Sequence, residues 1–239
     1  MPLYTVGAGG TAWVFIADSV DNRHLFDIID GVDALRDRHV GESDIFVFTD
    51  HPAAGFVLGQ FGISQVLPLS DFAATLHRLP GYELAMIVVT GHGSPGGIGQ
   101  GAGAISPYGL LQAVRAIPAL KAGAIVLGQC FAGVFNLQDV KTPQPELTLI
   151  GATNLNLSLS ASIELATPIS QQDGTPVLKT WEANIFLFFF FLWLRAPMDV
   201  DGDGALTLMD AYKFAGTLSN SKLTKIKSSL YVQTTQQLQ

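Results

Sequence analysis

The sequence predicts an α/β fold: a mostly parallel sheet buried on both faces, with helices packed above and below it. Three observations carry this. Four short runs are continuously apolar and rich in β-branched or aromatic residues, the pattern of strands covered on both faces. Helix-period segments separate the runs, and strand–helix alternation builds βαβ units. The residues that carry chemistry, above all His92 and Cys130, stand just after runs, where open α/β sheets bind their ligands.

The first run, Trp13-Val14-Phe15-Ile16-Ala17, ends at Asp18, and the second, Asp44 to Phe48, ends at Thr49-Asp50. The third, Leu84 to Val89, ends at Thr90-Gly91, and the fourth, Ala124 to Leu127, at Gly128-Gln129. Leu147-Thr148-Leu149-Ile150 follows the same pattern as a fifth strand. Between the first two runs, His24 to His39 places Leu25, Ile28, Ile29, Val32 and Leu35 at helical spacing. Ser70-Asp71 reads as a cap before Phe72, Leu76 and Leu79. Ser106-Pro107 opens a third helix, with proline at the first helical position, through Leu110, Leu111, Val114 and Ile117. One domain is predicted over residues 1–217. Residues 218–239 form a polar tail, expected to be either a last strand around Leu230-Tyr231-Val232 or mobile.

Composition narrows the function classes. The chain has 239 residues, 48% of them hydrophobic, and only 14% charged against roughly 25% in an average domain. Such a chain buries a sizeable core and is not a disordered one. A net charge of -7 argues against nucleic acid as a partner, because phosphate contacts need a basic patch. A single cysteine excludes an internal disulfide framework and suits a reducing, cytoplasmic compartment. The mean hydropathy of +0.34 raises the question of a membrane. However, the longest apolar run, Ile185 to Leu194, has ten residues where a span needs about 20. It reads as a buried core helix, and no membrane span is expected. Met1 to Gly10 has neither the charged nor the apolar region of a signal peptide.

After the third run the chain reads Thr90-Gly91-His92-Gly93-Ser94, and after the fourth Gly128-Gln129-Cys130-Phe131-Ala132-Gly133. A thiol and an imidazole on consecutive strand ends are what nucleophilic acyl transfer requires. The flanking glycines allow close approach of a substrate, and the backbone N–H groups of Gly93 and Cys130 are the expected oxyanion donors. Taken singly, each residue also has a bland reading, an inert buried cysteine and a histidine in a glycine turn. Joint placement favours catalysis. A phosphate-binding loop over residues 91–103 is the competing reading, but the segment lacks the Lys and Ser/Thr of a P-loop.

A strand ending in His-Gly followed by one ending in Gln-Cys-x-x-Gly resembles the caspase-type cysteine peptidases of clan CD, most nearly the legumain-like peptidases and their bacterial relatives. Asp21-Asn22-Arg23-His24 is similar to the Asn-aromatic-Arg-His stretch those enzymes carry after their first strand. The segment from Trp181 to Tyr212, an apolar helix followed by an Asp-rich loop, resembles the corresponding part of bacterial members. The resemblance spans roughly residues 12–215. It implies a caspase-like three-layer sandwich and a cysteine endopeptidase working through a thioester acyl-enzyme. His92 would be the general base, Cys130 the nucleophile and Gly93 an oxyanion donor. Arg23, His24 and Ser158 would line the S1 pocket. Asp21 or Asn22 would orient His92; the family's Asn position is Asp21 here, and which of the two acts stays open. The acid often found two residues before the nucleophile is Gly128. These departures leave room for an acidic or polar P1 residue instead of Asn. The same dyad would also serve a transamidase or ligase, and a decayed site would leave a binding module. Partners would be a protein or peptide substrate and an activating partner or ligand, with segments 134–146 and 165–180 as mobile loops beside the site.

Asp199-Val200-Asp201-Gly202-Asp203-Gly204-Ala205-Leu206-Thr207-Leu208-Met209-Asp210 fits a calcium loop. The carboxylates of Asp199, Asp201, Asp203 and Asp210, the Ala205 carbonyl and Thr207 would be the ligands. The other reading is an acidic turn in which Thr207 and Asp210 form a capping box at a helix start.

Overall fold

A computed structural model describes residues 10–79, 81–99, 103–138, 145–164, 169–170, 176–177 and 180–237. Residues 1–9 and parts of the two expected mobile loops, 139–144, 165–168, 171–175 and 178–179, lie outside the described residues.

The chain opens with β1 (Thr11–Asp18) and α1 (Asn22–Asp37), then β2 (Ile45–Thr49), α2 (Ala54–Gly59), β3 (Val66–Leu67) and α3 (Phe72–Leu76). Next come β4 (Leu84–Gly91), the small hairpin of β5 (Gly93–Ser94) and β6 (Gly97–Ile98), α4 (Pro107–Arg115) and β7 (Ala122–Leu127). After β8 (Glu146–Gly151) follow β9 (Ser160–Glu164), β10 (Ile169–Ser170), β11 (Pro176–Val177) and β12 (Thr180–Asn184). Two helices, α5 (Ile185–Arg195) and α6 (Leu208–Gln237), close the described chain.

Six strands form one sheet in the order β3-β2-β1-β4-β7-β8, with every neighbouring pair parallel. The five predicted strands are its five longer members. Successive side chains point to opposite faces, so β1 feeds two cores. Trp13, Phe15 and Ala17 pack with α1, α5 and the start of α6. Ala12, Val14 and Ile16 pack with α3 and α4. This is the three-layer α/β sandwich the sequence predicts.

Local chemistry explains the helix ends. Asp21 caps α1 by accepting the Arg23 N–H, and Ser106 caps α4 by accepting the Gly109 N–H at 3.1 Å. The expected cap at Ser70-Asp71 is not used. The chain runs through a 3-10 turn, Leu69–Asp71, straight into α3, and Asp71 makes no capping hydrogen bond. Asn184 caps α5 through Leu187 N at 3.0 Å. Phe186, Leu187, Phe190, Phe191, Trp193 and Leu194 of that helix are buried, so the apolar run is core. Among the described residues, no helix is long and apolar enough to cross a membrane.

The expectation of a last strand in the tail is corrected: residues 218–237 continue α6, a helix of 30 residues that includes Leu230-Tyr231-Val232. No glycine or proline follows Gly216 to stop it. Ser219, Thr224 and Ser228 donate their hydroxyls to the carbonyls of Ala215, Asn220 and Thr224, so these polar side chains are satisfied along the helix itself. The antiparallel pair β9–β12 was not foreseen either. It alternates short polar and apolar residues and carries no continuous apolar run.

Candidate active site

β4 and β7 are paired from Leu84↔Ala122 to Val89↔Leu127, and Gly128 N extends the ladder to Val89 O at 2.8 Å. Their C-terminal ends therefore open at one edge. His92 follows β4 directly, and Cys130 stands three residues past β7. Gly93 lies so close to the turn after β7 that a Cβ there would overlap the Cys130 carbonyl oxygen. The glycine expected to admit a substrate is thus first required by the contact between the segments that bear His92 and Cys130.

Phe131, next to Cys130, adopts φ +56°, a left-handed conformation uncommon outside glycine. The turn is held by Phe131 N donating to Asn156 O at 2.8 Å and Gly133 N to Asn154 O at 3.0 Å. This clasp brings the Ser158 N–H to the Cys130 sulfur at 3.3 Å. Ser158, expected beside S1, therefore touches the thiol itself. Gly128 is also explained. A Cβ at that position would stand 2.5 Å from Leu187 Cδ1 and 2.9 Å from Val89 O, which leaves no room for a larger side chain.

At the start of α1, Arg23 Nε donates to Asp21 Oδ2 at 2.7 Å and Nη1 to Ser160 Oγ at 2.7 Å. These bonds tie Arg23 to Ser160, two residues beyond Ser158, and Asp21 compensates the guanidinium charge. Asp21 is thereby committed to Arg23 and to the helix start, and Asn22 is exposed. The ring set against His92 is instead that of His24, edge to face with centroids 5.3 Å apart. Burial, with the nearby Arg23 charge, pushes His24 down to about 3, so it is neutral at physiological pH. Asp18, at the end of β1, contributes its carbonyl to His92 N at 3.4 Å. Its carboxyl is pushed up by burial and by Asp50, while His92 pulls it down.

Beneath the site is a polar group that the sequence reading missed. Asp27 of α1 is buried and accepts from Thr90 Oγ1 at 2.7 Å, Trp181 Nε1 at 3.0 Å and Asn184 N at 3.1 Å. Asn184 Nδ2 in turn donates to Gly128 O and, at 3.2 Å, to Ser158 Oγ. Burial pushes the Asp27 carboxyl up to about 6, against the pull of those hydrogen bonds. The native state therefore holds this proton more tightly than the unfolded chain does. Stability is expected to fall as pH rises from about 4 to about 6, by on the order of 3 kcal/mol, and then level off. Urea unfolding of Asp27→Asn across that window should lack this component. An identical pH profile in both proteins would refute it.

In the acidic loop, Asp199, Asp201 and Asp203 each offer an oxygen, all within 4.8 Å of one another. Asp210, also expected as a ligand, is not in that group. Asp210 is buried and accepts from Val200 N, Thr207 N and the Thr207 hydroxyl at 2.7–2.8 Å. Burial alone would raise its pKa, but these donors hold its carboxyl at about 2. Thr207 and Asp210 thus form the capping box of the alternative reading, Ala205 N donates to Asp203, and Lys213 pairs with Asp201 at 2.6 Å.

No protein-family model matches the chain. No curated protein matches it either.

Signals for the missed residues were uneven. Asp18 ends the first apolar run, so attention to every strand end would have found it. Asp27 and Asn184 had no periodic signal, since each stands alone among apolar neighbours.

Proposed function

We propose that this chain is a cysteine endopeptidase of the caspase-type clan, near the bacterial legumain-like enzymes, with His92 and Cys130 as its dyad. The observation that carries the reading is the placement of both residues at adjoining ends of two paired parallel strands, with Gly93 pressed on the Cys130 carbonyl. Cys130 Sγ attacks the scissile carbonyl carbon. The resulting oxyanion faces the backbone N–H groups of Gly93 and Cys130. As the C–N bond breaks, His92 delivers the thiol-derived proton to the leaving amine, which leaves a thioester. Water then attacks the thioester, His92 takes its proton, and the carboxylate product departs as Cys130 is restored. Arg23, compensated by Asp21, and Ser158 form the wall of a polar S1 pocket suited to a polar P1 side chain. A reducing, cytoplasmic location suits the single thiol.

Iodoacetamide is expected to modify Cys130 and stop hydrolysis of a peptide library in proportion to the label. Full hydrolysis by fully labelled protein would overturn the reading. Adding an amine nucleophile separates hydrolysis from transamidation, which would appear as amine-capped product.

The three clustered aspartates support calcium as a ligand of the loop between α5 and α6, since crowded carboxylates repel unless a cation lies among them. Asp199, Asp201 and Asp203 would hold it. Calcium at about a hundredfold over its Kd is expected to raise Tm by about 5 °C or more relative to EGTA. An unchanged Tm would remove the metal.

A further inference from the structure

His92 and Cys130 sit on separate segments, and nothing in the chain's connectivity sets the distance between them. β4 leads to His92, β7 leads to Cys130, and between the two run the β5–β6 hairpin and α4. The buried carboxylate of Asp27 reaches both. Its Oδ2 accepts from Thr90, two residues before His92. Its Oδ1 accepts from Trp181 Nε1 and Asn184 N. The Asn184 side chain then binds the Gly128 carbonyl, two residues before Cys130, and the Ser158 hydroxyl, whose own N–H meets the Cys130 sulfur. One carboxylate and one amide therefore join α1, β4, β7, β12 and the segment after β8 at a point directly under the dyad.

From this network we infer that Asp27 is a positioning residue: through Thr90 and Asn184 it fixes the strand end bearing His92 against the strand end bearing Cys130. Among the described residues, its hydrogen bonds come from three donors, none of them a cation. The charged neighbour acting on Asp27 is Asp30, one turn along α1, which is itself paired with Arg195 of α5 at 2.8 Å. A carboxylate held there without a counter-charge is a costly choice for packing alone, because an apolar residue would fill the space at lower cost. What the carboxylate adds is direction: three donors from two strands, β4 and β12, converge on its two oxygens.

This inference rests on the dyad proposed above, so the test uses a readout that needs no peptide turnover. The rate of Cys130 alkylation by iodoacetamide is measured in the full chain for wild type, Asp27→Ala, Asp27→Asn and Thr90→Val, each also in a His92→Ala background. Asp27→Ala is expected to slow alkylation about tenfold where His92 is present and to have little effect where it is absent, since small misplacements of reacting groups cost one to two orders of magnitude. Asp27→Asn should restore most of the rate. Its Oδ1 keeps two donors, and Thr90 can reverse its hydroxyl to accept from the amide. If Asp27→Ala fails to fold, Thr90→Val, which removes only the bond to the His92 strand, should give the same His92-dependent loss. Equal rates for wild type and the folded variants, or equal losses with and without His92, would overturn the positioning role. Where a peptide is hydrolysed, the loss should fall on kcat and leave KM within about twofold. A wild-type chain that cleaves no peptide but still shows the His92-dependent pattern would sink the peptidase reading and leave this one standing.

Discussion

Cys130→Ala is expected to lose peptide hydrolysis entirely at the sensitivity of a fluorogenic assay, a fall of about 10³-fold or more. His92→Ala should fall nearly as far, and the double variant no further, because in the proposed acyl transfer the two residues would act as a unit. Neither change should disturb the fold. Cys130 is only partly buried, and the hydrogen bonds at its sulfur are to the Ser158 backbone. Unfolding curves should therefore match wild type closely while activity is gone. Retained hydrolysis in Cys130→Ala would end the peptidase reading. Loss in Cys130→Ala with full activity in His92→Ala would point to a different base, and Asp18 and His24 are the groups placed to be tried next.

Phe190→Ala should cost about 3–5 kcal/mol, the range for deleting a large buried aromatic side chain. Phe190 is fully buried, 5.9 Å ring to ring from Phe191, in the layer where α5 packs on α1. The neighbouring surface is tight: a Cβ at Gly31 of α1 would come within 2.6 Å of the Phe15 ring and 2.7 Å of Phe191, so the cavity has little freedom to collapse. A fall in Tm of about 10 °C is the expected readout. Leu192, on the same helix but 39% exposed, is the internal control. Leu192→Lys should change stability by less than about 1 kcal/mol, since its side chain already reaches solvent. A large effect at Leu192 and a small one at Phe190 would mean that this helix does not pack as a core element.

The two outcomes bear on different parts of what could be read in advance. The five longer strands of the sheet, the apolar face of α1 and the capped start of α4 were legible because their causes are local: apolar runs, helical spacing, a serine and a proline at the first turn. The edge strand β3 was not, because its two residues cannot repeat a period, and the β9–β12 pair was not, because it carries no continuous apolar run. A strand was one of the two readings of the tail because Leu230-Tyr231-Val232 looks β-like by itself, whereas helix continuation depends on everything upstream of it back to Leu208. In the acidic loop, two local readings competed. The geometry divides the residues between them, with Asp199, Asp201 and Asp203 clustered and Asp210 turned into the helix cap.

By itself the sequence determined the class of fold, the order of its main strands and helices, and the positions of a thiol and an imidazole just past two of those strands. These follow from side-chain period and from the rule that sheets expose function at their carboxyl ends, both properties of short stretches of chain. Only the tertiary structure decided which groups surround that pair: His24 rather than Asp21 against His92, Ser158 against the sulfur, and Asp27 with Asn184 underneath. Those contacts join residues as far apart as Asp27 and Asn184. Burial then sets their chemistry, because a carboxyl or imidazole is pushed toward its neutral form by surroundings drawn from distant parts of the chain.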